Sequence, residues 1–200
     1  MAADTHAPDA GHATSLGLSN EKMGMWTLIG SECLFFGALI STYLIYLGRT
    51  NGGPGPKDIW DIPFTSVSTF ILLMSSLAMV LALDAIQKGD GRTFRVWTLT
   101  TALLGATFLA GQFYEFTIFV NEGFKVETSP FSASFFVLTS FHGIHVAGGI
   151  LMLLSLWALS MRGTLGKERA GTVENVGLYW HFVDIVWIVI FTVVYLIPVG

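Results

Sequence analysis

Five long apolar runs, residues 24–48, 64–86, 94–120, 131–161 and 176–199, occupy most of this 200-residue chain. Each exceeds the roughly 20 apolar residues that a helix needs to cross the hydrocarbon of a bilayer. The expected fold is therefore all-α, an integral membrane bundle of five transmembrane helices. The runs nevertheless carry ionisable groups: Glu32, Asp84, Glu115, the pair His142 and His145, and the pair His181 and Asp184. A charge deep in lipid costs at least ~2.5 kcal/mol, so these side chains are expected to face protein neighbours or trapped water.

The charge content agrees with a membrane chain. Charged residues make up 12% of the sequence and hydrophobic ones 52%, where a soluble domain has about 25% charged. The net charge of −4 is scattered, and no basic stripe points to nucleic acid. Lys and Arg are uneven between the two ends of the spans. Lys22, Lys88, Arg92, Arg95, Arg162, Lys167 and Arg169 fall at one end, and only Arg49, Lys57 and Lys125 at the other. The positive-inside rule places the amino terminus in the cytoplasm and the carboxy terminus outside. The single cysteine, Cys33, lies inside the first run, so neither a disulfide framework nor a thiolate cluster is available.

Residues 1–23 are rich in Ala, Asp, His, Gly and Thr without apolar periodicity, and are expected to form a disordered cytoplasmic tail before a transmembrane domain over 24–200. The tail lacks the basic start and cleavage site of a removable signal. Its His6 and His12 are expected to be solvated rather than metal-bound. Residues 51–56, Asn-Gly-Gly-Pro-Gly-Pro, form a turn between the first two helices. Gly89, Asp90 and Gly91 make a tight connection, and Thr128, Ser129 and Pro130 stand where a cap for the fourth helix belongs. The loops are too short for an extramembrane domain.

The polar groups inside the runs carry the functional question. Glu32, about eight residues into the first run, falls roughly 12 Å below the cytoplasmic surface. Its own-helix neighbours Leu28, Ile29, Phe35 and Phe36 cannot satisfy a carboxylate, so its partner comes from another helix or from water. It is either an interhelical polar clamp or a proton-accessible or lipid-contacting acid. His181 and Asp184 share one face of the fifth helix and suit a structural hydrogen bond or a role in proton exchange. His142 and His145 share a face near mid-membrane. A closed metal site needs three or four converging ligands, whereas the runs hold three histidines and one cysteine, so polar packing outranks metal or haem binding. Gln112 and Glu115 suit structural bonds to a neighbouring helix or a contact at the outer surface. Gly30, Gly37, Gly105, Gly111, Gly143, Gly148 and Gly149 permit close helix approach. Trp60, Trp97 and Trp180 take the positions of an interfacial aromatic belt.

Four strings, in order and on successive helices, carry a resemblance. They are residues 31–36 (Ser-Glu-Cys-Leu-Phe-Phe), 114–116 (Tyr-Glu-Phe), 141–146 (Phe-His-Gly-Ile-His-Val) and 179–187 (Tyr-Trp-His-Phe-Val-Asp-Ile-Val-Trp). Together they resemble subunit III of haem-copper terminal oxidases over roughly residues 20–200, in the short bacterial form that lacks the two amino-terminal helices of the seven-helix form. The resemblance implies an accessory, noncatalytic subunit of a proton-pumping cytochrome c oxidase in a bacterial cytoplasmic membrane, with a quinol oxidase as the alternative. It implies no cofactor in this chain, with haems and copper held by partner subunits I and II, and bound phospholipid. Glu32 resembles the family's buried acid near tightly held lipid. Arg162 resembles a position that holds an anionic headgroup, and His142, His145, His181 and Asp184 match positions in the bundle interior. An autonomous transporter or channel would instead show inverted repeats or helices broken at mid-membrane, and the sequence has neither.

Overall fold

The computed structural model describes residues 20–53 and 61–197. Among these it contains five long helices and no strand: α1 (Asn20–Tyr46), α2 (Ile62–Lys88), α3 (Gly91–Asn121), α4 (Pro130–Met161) and α5 (Ala170–Phe191). All five are long and apolar enough to cross a membrane. A short 3-10 turn (Lys167–Arg169) leads into α5, and a π-helical turn (Thr192–Leu196) follows it. The expected tail falls mostly outside the described residues, as do His6, His12, Trp60 and residues 54–56 of the expected turn. Residues 20–23 do not belong to a tail. They form the first turn of α1, where Lys22 Nζ pairs with Glu174 Oε1 of α5 at 2.6 Å.

Local chemistry sets the helix ends. The α2–α3 connection is as tight as its glycines predict. Gly89 takes φ +81°, a left-handed conformation that suits glycine, and its N–H closes α2 on the carbonyls of Ala85 and Ile86. Asp90 then caps α3, accepting from the N–H groups of Arg92 and Thr93. Ser129 caps α4 by a reciprocal bond with Ser132, and Pro130 follows where a missing N–H costs nothing.

In the packed bundle α2 lies against α3 and α5, while α4 lies against α3, α1 and α5. Between membrane helices packing matters more than water exclusion, so small residues decide how near two backbones come. A Cβ added at Gly149 would lie 2.7 Å from Trp180 Cε3, and one at Gly105 would lie 2.5 Å from Trp180 Cη2. These glycines of α4 and α3 open a slot that α5 fills with indole. Trp180 is accordingly not an interfacial belt residue. It is 1% exposed, and its Nε1–H donates to Ser75 Oγ of α2 at 3.0 Å. Near the α3–α4 loop, Phe119, Phe124, Phe131 and Phe135 meet with ring centroids 5.7–6.2 Å apart, closing that end of the core.

Candidate functional site

Most polar groups of the spans form separate pairings that bridge two helices, with His142 and Asp84 as exceptions. Glu32 lies twelve residues after Asn20, about 18 Å along α1, deeper than the apolar run alone suggested because α1 begins four residues before that run. This depth brings its Oε2 to 3.2 Å from Nε2 of His145, which sits at the middle of α4. His145 Nδ1 is 2.7 Å from the carbonyl of Phe141. A carbonyl only accepts, so Nδ1 carries a hydrogen and Nε2 faces Glu32 either with a lone pair or, in imidazolium, with a second hydrogen. A hydrogen bond between them then needs at least one hydrogen, on Glu32 Oε2 or on His145 Nε2. Phe36 lies edge-on to the imidazole, with centroids 5.0 Å apart, and Tyr179 donates to the His145 carbonyl at 3.1 Å.

His142, one turn away, has a different environment. Its ring stacks on Trp187 with centroids 4.9 Å apart and meets the edges of Phe108 and Phe36. It is fully buried, and neither ring nitrogen has a hydrogen-bond partner. The two histidines therefore do not act as a ligand pair.

On α5, His181 and Asp184 share a face as expected, but Ser76 of α2 stands between them. Ser76 donates to Asp184 Oδ2 at 2.7 Å. Its single hydrogen being used, its oxygen accepts from His181 Nδ1–H at 3.2 Å. The other carboxylate oxygen of Asp184 is buried without a partner. Because α5 starts at Ala170, His181 lies eleven residues and about 17 Å along it. The pair thus sits near mid-bundle, at the level of Glu32.

Glu115 and Gln112 both bond to neighbouring helices. Thr65 of α2 donates to Glu115 Oε1 at 2.5 Å, and Gln112 Nε2 donates to the Thr139 carbonyl of α4 at 2.8 Å. Glu115 is 5% exposed, so it makes no outer-surface contact. Asp84 is not a buried group: it is exposed near the end of α2 and pairs with Lys88 at 2.7 Å. Arg162 ends α4 as an exposed residue and forms no ion pair among the described residues.

The reading of the sequence did not anticipate the role of α2. Its hydroxyls Thr65, Thr69, Ser75 and Ser76 meet Glu115, Trp187, Trp180 and Asp184 in turn. Thr65, Thr69 and Ser76 fall four and then seven residues apart on one helix face, and that recurrence was the available signal. No three His, Cys, Asp or Glu side chains converge among the described residues. With His142 enclosed by rings, His145 on Glu32 and His181 on Ser76, these histidines do not fit a haem or copper centre.

Such a molecule is a multi-span membrane bundle whose intramembrane polar groups are matched mainly within the protein. The family description Cytochrome c oxidase subunit III matches residues 5–199. The chain is 40% identical to cytochrome c oxidase subunit 3 of Bacillus sp. (strain PS3), over 88% of this chain and 86% of that protein. It is 39% identical to cytochrome bo(3) ubiquinol oxidase subunit 3 of Pseudomonas aeruginosa, over 97% and 93%. It is 35% identical to quinol oxidase subunit 3 of Bacillus subtilis, over 89% and 87%. The chain belongs to the cytochrome c oxidase subunit III family, the third subunit of haem-copper oxidases.

Proposed function

We propose that this chain is the accessory subunit III of a proton-pumping cytochrome c oxidase in the cytoplasmic membrane of a bacterium, with its amino terminus inside the cell. It docks on subunit I beside subunit II, and the haems and copper ions belong to those partners. Its work is to keep the complex stable, to retain phospholipid and to support proton uptake. The observation that carries this reading is the Glu32–His145 pair, an acid–imidazole contact between two spans of a chain of the subunit III family. Glu32 and Arg162 are the lipid-contacting residues in this reading. Glu32 is partly exposed on the weakly covered α1, and Arg162 is an exposed cation at a helix end, unpaired among the described residues, where a basic residue is worth about 1 kcal/mol toward an anionic surface.

A quinol oxidase is the second reading, favoured by the relative named for ubiquinol that matches 97% of this chain. The proteins that purify with the chain separate the two, since a subunit II with a copper-binding motif or a fused cytochrome c domain identifies the first. The accessory role is tested in the intact oxidase. Removing this subunit is expected to leave oxygen reduction measurable while slowing proton uptake above neutral pH and shortening the working lifetime. Glu32→Gln keeps a hydrogen bond to His145 but replaces the acid with a neutral amide. Turnover and lifetime equal to wild type at every pH would reduce Glu32 to a clamp, and loss of haem reduction on deleting the subunit would refute the accessory role.

A further inference from the structure

Away from the Glu32–His145 pair, a groove of about 310 Å³ runs between α1 and α4 at the end of the bundle where α1 finishes and α4 begins. Leu39, Thr42 and Tyr46 form one wall, and Ala133, Ser134 and Val137 the other. Pro130 also lines the second wall, so Leu39 to Tyr46 and Pro130 to Val137 each span seven residues, stripes about 10 Å long. Of the three hydroxyl residues in the lining, Thr42 and Ser134 do not make the groove polar. Thr42 donates to the Ala38 carbonyl and Ser134 to the Phe131 carbonyl, each at 2.8 Å, so both hydroxyls are turned back onto their own helices. Apart from the Tyr46 phenol oxygen, the remaining surface is methyl, methylene and ring.

The mouth of the groove has the opposite character. Arg49 lies three residues beyond the last residue of α1, where the chain leaves the membrane, and its guanidinium is 5.5 Å from the centroid of the Tyr46 ring. That cation–π contact holds the charge beside the groove. Arg49 is exposed, and no carboxylate pairs with it among the described residues. A slot of this volume is too narrow for a helix, which with side chains is about 10 Å across. One acyl chain fits it, and the nearby cation selects the headgroup.

We propose that this groove seats one acyl chain of an anionic phospholipid whose phosphate is bound by Arg49, in the leaflet opposite the one served by Arg162. The site is independent of the electron donor and of the roles given to Glu32 and Arg162. The test is native mass spectrometry of the intact oxidase in nanodiscs of phosphatidylcholine with graded phosphatidylglycerol. Arg49→Gln is expected to weaken retention of one phosphatidylglycerol about fivefold, the factor that corresponds to about 1 kcal/mol for a basic residue at a membrane surface. Arg49→Lys is expected to keep most of it. Ala133→Trp, which fills the groove and leaves the charge in place, is expected to lose the same lipid, and Arg162→Gln to leave it bound. Haem content and subunit stoichiometry verify assembly of each variant. Unchanged retention in Arg49→Gln overturns the proposal, as does loss in Arg49→Gln without loss in Ala133→Trp. A photo-crosslinker at Val137 is expected to capture lipid, and capture of a partner helix instead also overturns it.

Discussion

The glycines of α1 and those of the α3–α4–α5 seam belong to equally apolar helices, yet they meet opposite surroundings. At Gly105, Gly143 and Gly149 an added Cβ would lie within 2.8 Å of a packed side chain, whereas at Gly24, Gly30 and Gly37 it would meet nothing within 4 Å. The most apolar stretch of α1 is 11% buried inside the protein, and that of Lys167–Leu196 is 50% buried. A glycine in a membrane helix thus marks a close approach only where a neighbour is supplied. In the seam the neighbour is an indole or a glutamine amide of the same chain. On α1 none is present, so the small residues there play no part in the chain's own packing.

Substitution separates the two regions most sharply where the interior is tightest. Gly149→Val forces Trp180 out of its slot and parts Nε1 from Ser75, an overpacking expected to cost roughly 1–3 kcal/mol or more. Gly37→Leu on α1 is expected to leave the folded chain unchanged or slightly firmer, since glycine costs a helix interior about 1 kcal/mol relative to alanine. Thermal unfolding of the detergent-solubilised chain, followed by tryptophan fluorescence, checks both. Equal destabilisation by the two would break the comparison. Loss of Gly37→Leu from the intact oxidase, with the isolated chain unaffected, would assign that face of α1 to a neighbouring subunit.

The two histidines of α4 sharpen it next. His145→Phe leaves Glu32 at mid-membrane without its partner, at an expected cost of about 1–3 kcal/mol for an unsatisfied polar group. His142→Phe removes two buried nitrogens that bond to nothing and keeps an aromatic ring against Trp187. Its stability is expected to stay within about 1.5 kcal/mol of wild type, or to rise. The same unfolding measurement ranks them, and the reverse order would show that His142 holds a bonded partner.

Much of this was legible in the residues because each helix span depends on composition local to it. The five spans, the tight connection at Gly89, Asp90 and Gly91 and the cap at Ser129 follow from apolar run length and turn chemistry. The helix starts did not follow, because Asn20 and Ala170 begin helices in polar sequence that the runs at 24 and 176 do not reach. That offset moved Glu32 and His181 toward the middle of the bundle. The pairings were only half visible. Spacing put His181 and Asp184 on one face, but nothing local placed Ser76, 108 residues from Asp184, between them. Trp180 read as an interfacial residue for the same reason, since its slot is built by Gly105 and Gly149 from two other helices.

The smallest expected effect lies outside the membrane, at the tight connection between α2 and α3. The side chain and the backbone N–H of Thr93, then the N–H and charge of Arg92, hold the Asp90 carboxyl below its ordinary value of 3.8. A folded-state value below the unfolded one means that the cap's contribution is fully present above the ordinary aspartate range and is lost as pH falls through the lowered value. Neutral and mildly acidic buffers therefore leave it intact. Asp90→Ala is expected to speed hydrogen exchange at the amides of Arg92 and Thr93 at pH 5 to 7, and to leave those beyond Thr98 in α3 unchanged. Asp90→Asn, which keeps an accepting oxygen, is expected to fall between them. Faster exchange along the whole of α3 in Asp90→Ala would mean that this connection fixes the α2–α3 packing rather than the first turn of a helix already held by its neighbours.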